Sequence, residues 1–168
     1  MIILTTKGKT YMKNFMIAAA LGTATLTTPA FAGDFSGPRL EVTAGADDVT
    51  QGVDPTDVTY GAGLGYDLQL GKVVVGVEAT ADNVFDRRDI GVAGRLGYTI
   101  NDNVLLYGKA GYSNWRQVRG VDLEGLRLGG GLEVNLLGPV YTKVEYRYTD
   151  FDGSVGKHGG LVGVGLRF

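Results

Sequence analysis

From Asp57 to Leu70 the chain alternates without a break. Val58, Tyr60, Ala62, Leu64, Tyr66, Leu68 and Leu70 are apolar, and Asp57, Thr59, Gly61, Gly63, Gly65, Asp67 and Gln69 are polar or glycine. A period of two over this length is a β-strand whose two faces meet different surroundings. The pattern recurs seven more times. Leu40, Val42, Ala44 and Ala46 alternate with Arg39, Glu41, Thr43 and Gly45, and Val73, Val75, Val77, Ala79 and Ala81 with Glu78, Thr80 and Asp82. Ile90, Val92, Leu96, Tyr98 and Ile100 oppose Gly91, Arg95, Gly97 and Thr99; Leu106, Ala110 and Tyr112 oppose Tyr107, Lys109, Gly111 and Ser113. Leu126, Leu128, Leu132, Val134 and Leu136 face away from Arg127, Gly129, Gly131, Glu133 and Asn135, as Thr142, Val144, Tyr146 and Tyr148 do from Tyr141, Lys143, Glu145, Arg147 and Thr149. Val162, Val164, Leu166 and Phe168 close the series against Gly163, Gly165 and Arg167. No segment after residue 33 has a helical period.

The links alternate too. Leu70-Gly71-Lys72, Asn101-Asp102-Asn103 and Leu137-Gly138-Pro139 are tight turns by residue type. The links near 47–56, 83–88, 114–123 and 150–158 are longer and polar. Eight strands with short turns at one end and longer loops at the other describe a membrane-spanning barrel, turns toward the periplasm and loops outside.

The chain opens with an address. Met12-Lys13-Asn14, an apolar run from Phe15 to Leu26, Pro29 and then Ala30-Phe31-Ala32 are the parts of a secretory signal peptide. The run is too short for a transmembrane helix, which needs about 20 apolar residues. Residues 1–32 are expected to be a signal region, with Met12 as an alternative start and cleavage after Ala32, and residues 33–168 a single barrel domain. Beyond residue 32 the chain carries 13 basic and 18 acidic side chains, a formal −5. That balance disfavours nucleic acid, whose phosphates call for clustered cations.

A soluble lipocalin-type barrel would show the same alternation, so the direction of the faces has to be argued separately. Seven bases (Arg39, Arg95, Lys109, Arg127, Lys143, Arg147, Arg167) and six acids (Glu41, Asp67, Glu78, Asp82, Glu133, Glu145) share one face with many of the 28 glycines. Glycine on one strand leaves volume for a long side chain from another, as a narrow lumen requires. Aromatics gather near strand ends, with Tyr60, Tyr112, Trp115, Tyr146, Tyr148 and Phe151 toward the loops and Tyr66, Tyr98 and Phe168 toward the turns. Two such groups read as interfacial girdles. The last pattern is a strand with no covering helix, and each strand is long enough to cross, about 9–11 tilted residues sufficing. Closure then follows, because an open edge in lipid leaves backbone groups unpaired.

Gly163-Val164-Gly165-Leu166-Arg167-Phe168 resembles the terminal signal by which the barrel-assembly machinery recognises its clients, with Leu166 and Phe168 as its apolar positions. Val144-Glu145-Tyr146-Arg147-Tyr148-Thr149-Asp150-Phe151 resembles the seventh strand of small eight-stranded outer-membrane barrels related to the OmpA barrel, the opacity proteins and the OmpX/Ail group. The resemblance implies an all-β, antiparallel, up-and-down transmembrane barrel in the outer membrane of a Gram-negative bacterium. It also implies lipid and lipopolysaccharide as surroundings, and a charged plug in the lumen.

Thirteen ionisable groups in such a lumen must pair or keep water. A mid-barrel network of Glu41, Glu78, Glu133 and Glu145 with Arg95, Lys109, Arg127 and Arg147 is expected, serving either as a structural plug or as the gate of a narrow pore. Arg87, Arg88, Arg116 and Arg119 in the loops are candidate lipopolysaccharide contacts. His158, with Ser154, Asp150 and Asp152 nearby, offers the ingredients of a lipid A-modifying site, yet the order matches no acyl-transfer pattern. Asp47, Asp48, Asp54 and Asp57 could hold calcium in principle, but without EF-hand spacing. Gly61-Ala62-Gly63-Leu64-Gly65 and Gly129-Gly130-Gly131 lie inside strands and are not phosphate loops. The expected protein is a non-enzymatic, monomeric outer-membrane barrel with a structural, envelope-integrity or surface-interaction role, without cofactor or metal. A narrow channel is the alternative reading, and a lipid A enzyme the second.

Overall fold

The computed structural model of the chain describes residues 35–49, 57–83, 88–116, 122–151 and 155–168. Eight strands follow in order: β1 Gly37–Val49, β2 Asp57–Leu70, β3 Val73–Asp82, β4 Asp89–Asn101, β5 Val104–Arg116, β6 Asp122–Asn135, β7 Val140–Phe151 and β8 Val155–Arg167. Each pairs antiparallel with its sequence neighbours, and β8 closes on β1. Followed strand to strand from Arg39, the register runs through Gly65, Glu78, Ala93, Gly111, Arg127, Thr149 and Lys157 and returns to β1 at Val49. A stagger of ten residues over eight strands sets a tilt of about 40° and a backbone radius of about 8 Å. Side chains alone can fill so narrow a tube.

The apolar face is the outer one. Leu64 is 62% exposed and Val77 64%, while Arg39 is 2% exposed and Glu133 fully buried. This inverts the ordinary soluble arrangement, and it is stable only where hydrocarbon replaces water around the barrel. The signal region expected at residues 1–32 lies outside the described residues.

The strands run further than the alternation suggested. The loop-end connections occupy residues 50–56, 83–88, 117–121 and 152–154, against turn-end connections at 71–72, 102–103 and 136–139. Asp47, Asp48, Asn114, Arg116, Asp150, Lys157 and His158, read above as loop residues, belong to strands. Hydrophobic alternation ends where lipid ends, but backbone pairing continues past it. At the turn end, Gly71 and Gly138 adopt the left-handed φ values of 65° and 57° that their turns need.

Candidate functional site

The staggered register lifts successive strands along the barrel axis, so inward side chains stack at different heights. Among the described residues the charged ones form two tiers. The tier nearer the turns holds five acids, Glu41, Asp67, Glu78, Glu133 and Glu145, and five bases, Arg39, Arg95, Lys109, Lys143 and Arg167. Asp67 is its hub: one carboxylate oxygen lies 3.1 Å from Arg39 Nε, 3.4 Å from Arg95 Nη1 and 3.2 Å from Arg167 Nη2. Glu133 receives Arg95 at 2.5 Å and Arg167 at 2.6 Å. Lys109 bridges Glu78 at 2.6 Å and Glu145 at 2.7 Å, while Lys143 reaches Glu41 at 2.5 Å and Glu145 at 3.2 Å. Two phenols complete the set. Tyr107 donates to Glu145 and Tyr141 to Glu41, each at 2.8 Å, and the Arg95 guanidinium stacks 3.9 Å over the Tyr107 ring.

The tier nearer the loops holds Asp47, Asp82 and Asp89 with Arg127, Arg147 and Lys157. Arg127 binds Asp89 at 2.5 Å and donates to Thr149 and Ser113, and Ser113 in turn donates to Asp89. Arg147 reaches Asp82 at 2.7 Å and Lys157 reaches Asp47 at 2.6 Å. By register Thr43, Thr80, Ala93, Gly111 and Leu161 fall between the tiers. Each tier is balanced in formal charge, which satisfies the rule that buried ions be paired locally.

The single network read from the sequence is therefore two. The structure gathers Glu41, Glu78, Glu133 and Glu145 around Arg95 and Lys109, but Arg127 and Arg147 stand higher and pair with aspartates. Periodicity shows which face a residue takes and carries no information on height. Arg39, Asp67, Asp82, Lys143 and Arg167 were on the expected lumen face but outside the named network. Asp89 and Lys157 were missed altogether and Asp47 was read only as a loop acid, because they sit where the apolar face has already ended. Val74, Leu105 and Leu161 also point inward and are buried, in runs such as Val73-Val74-Val75 that hide the alternation.

The glycines explain how a tube this narrow holds such long side chains. Each of eight large inward groups lies across the glycine directly opposite in register. Arg39 covers Gly65, Glu41 Gly63, Asp82 Gly61, Asp67 Gly76, Lys109 Gly129, Lys143 Gly163, Tyr141 Gly165 and Asp47 Gly159. A methyl group at any of them would meet the side chain above it at or inside van der Waals distance. These eight of the 28 glycines are thus a volume requirement set by the large inward side chains.

On the outer face Tyr60, Tyr112 and Tyr148 fall near one level at the loop end, with Tyr146 one alternation closer to the middle. Tyr66, Tyr98 and Phe168 lie toward the turn end, roughly 20 Å away by register and tilt, and all seven are exposed. Trp115 pairs in register with Asp89. The side chains of Trp115, Phe151 and Arg116 lie outside the described residues, as do Arg87, Arg119, Asp54 and Ser154. Arg88 is exposed in the connection just before β4. Leu166 pairs with Leu40 and Val140 on the outer face, next to Phe168 at the rim. His158 is part of β8, in register with Asp48 and Tyr148, its ring 6.4 Å from that of Tyr146. Asp47 is committed to Lys157, and among the described residues no group of three or more His, Cys, Asp or Glu is placed to hold a metal ion.

Known proteins show the same architecture. Neisserial surface protein A superposes with a TM-score of 0.58 at 16% identity, over 79% of this chain and 98% of that one. Ail, the attachment invasion locus protein of Yersinia pestis, gives 0.57 at 19% identity, over 79% and 99%. In sequence, a 25 kDa outer-membrane immunogenic protein of Brucella ovis is 29% identical over 134 residues, 69% of this chain and 66% of that protein. A 22 kDa outer membrane protein of Rhizobium leguminosarum bv. viciae is 33% identical over 115 residues, 55% of this chain and 54% of its own length. The chain thus spans just under two thirds of the first relative and about half of the second. The family described as outer membrane protein beta-barrel domain matches residues 16–168, and with its apolar exterior and closed eight-stranded sheet the chain belongs to that family of outer-membrane barrels.

Proposed function

We propose that this protein is a plugged, monomeric barrel that contributes to the integrity of the outer membrane and offers its outer rim to lipopolysaccharide. The carrying observation is the pairing of eight acids and eight bases inside the described lumen, in two separately neutral tiers. A permeating ion would have to separate buried pairs, and removing one partner of such a pair costs about 3–5 kcal/mol. An eight-stranded interior is about filled by its own side chains. Planar-bilayer recordings of the purified barrel are expected to stay silent. Steady, large, ion-selective conductance would replace this reading by the narrow channel.

The envelope role is tested by deleting the gene and measuring entry of bulky apolar antibiotics, which is expected to rise. Arg88, together with Arg87, Arg116 and Arg119, supplies guanidinium groups for lipopolysaccharide phosphates, and the exposed tyrosines and Phe168 supply the interfacial girdles. Leu166 and Phe168 form the assembly signal. The leader is proposed to be cut after Ala32, which amino-terminal sequencing of the membrane-inserted protein checks. For a lipid A-modifying reaction, His158 would need a nucleophile within hydrogen-bond reach; its register neighbours are an aspartate and a tyrosine, and we assign it no catalytic role.

A further inference from the structure

Phe35 precedes β1, belongs to none of the alternating patterns, and is fully buried. Its neighbours are Val74, Leu105 and Tyr107, the inward apolar residues at the turn end of the lumen. The Arg167 guanidinium lies 5.2 Å over its ring. Two hydrogen bonds to one residue pin the segment. The Phe35 amide donates to Gln69 Oε1 at 3.1 Å, and Ser36 Oγ accepts from the Gln69 amide at 2.9 Å. Gln69 is itself braced by its Nε2 donating to the Gly71 carbonyl at 2.8 Å.

The bend that permits this is built in. Gly37 has φ of 118°, and a Cβ there would collide with the Phe168 carbonyl oxygen, so a side chain at 37 is excluded twice over. Beyond it the chain turns back under the barrel. Without Phe35, the mouth would expose an apolar patch of Val74 and Leu105 to water beside the ion pairs of Arg167 and Glu133.

The geometry points to Phe35 as a stopper for the turn-end mouth, the periplasmic end in the proposed orientation: an apolar seal separate from the ion-pair tiers, hinged at Gly37 and latched by Gln69. The inference deepens the plugged-lumen reading and rests on it. Access from that end is governed by one ring, held by the Gln69 side chain and, through Ser36, by the Gln69 backbone amide, and the charged tiers form a second barrier behind it.

The chain has no cysteine, so single cysteines report access cleanly. Val74→Cys and Leu161→Cys are made separately, each in the parent chain and with Phe35→Ala, Phe35→Leu or Gln69→Ala. The detergent-folded proteins are labelled with a charged maleimide, and folding is checked by migration before and after boiling. At Val74→Cys, Phe35→Ala is expected to raise the labelling rate about tenfold or more by removing local protection. Phe35→Leu should preserve protection and Gln69→Ala should weaken it, the latter carrying the test if Phe35→Ala does not fold. Leu161→Cys, between the tiers, should stay slow throughout. Equal rates at Val74→Cys across the folded variants, with Leu161→Cys protected, would overturn the stopper alone. Acceleration at Leu161→Cys would overturn the plugged lumen beneath it.

Discussion

Replacing Asp67 by asparagine removes one negative charge from the point where three guanidinium groups converge, and it changes almost nothing else in volume. At an effective dielectric of about 20, each charge pair at about 4 Å is worth roughly 4 kcal/mol. The gross loss over three arginines is therefore about 12 kcal/mol, offset by the several kcal/mol no longer needed to desolvate the carboxylate. Each arginine keeps another partner: Arg39 retains Glu41 at 3.0 Å and Glu78 at 2.7 Å, and Arg95 and Arg167 retain Glu133. Those partners bring the net expectation to the lower end of the range for a broken buried pair, about 3 kcal/mol, or roughly a hundredfold in the unfolding equilibrium. Denaturant unfolding of the barrel in lipid vesicles, followed by the fluorescence of its one tryptophan, measures the change. The decisive companion is Asp67→Asn with Arg167→Gln, which returns the tier to four acids and four bases. The double change should cost less than the sum of the singles by about 1 kcal/mol or more. A loss from Asp67→Asn under about 1 kcal/mol, or strict additivity of the pair, would refute the view that local charge balance holds this tier together.

Glycine substitutions on β8 should separate by face. Gly165→Ala drives a methyl into the Tyr141 ring and should cost about 1–3 kcal/mol in the same assay, whereas Gly160→Ala, with nothing within 4 Å, should be neutral or slightly stabilising. Leu64→Arg, on the lipid face, should lose about 2–4 kcal/mol in vesicles. Phe168→Ala should lower the amount of folded barrel reaching the membrane in cells, read by immunoblot of outer-membrane fractions, while leaving refolding of the purified chain into detergent unchanged.

The architecture was legible because a sheet between hydrocarbon and a charged interior must write its two environments into alternate residues. Val58 through Leu70 shows that, as do Thr142 through Tyr148. Strand ends were not legible, since above the lipid both faces of a strand are wet and Asp48 looks like any loop acid. Height was not legible either. Glu78 on β3 and Arg127 on β6 face inward on one register line, and only the ten-residue stagger, a property of closure, assigns them to different tiers. Phe35 escaped notice for a third reason: one aromatic upstream of the first alternation carries no period, and its role depends on a bend at Gly37 that becomes necessary only once Phe168 has come round to meet it.

The extension of the strands leaves little chain for the outside. A connection of seven residues that leaves the rim and returns can rise at most about 12 Å above it, and one of three residues about 5 Å. In the proposed orientation, a phage fibre, an antibody or a host glycan would therefore meet mostly the paired strand ends of the rim and little free loop.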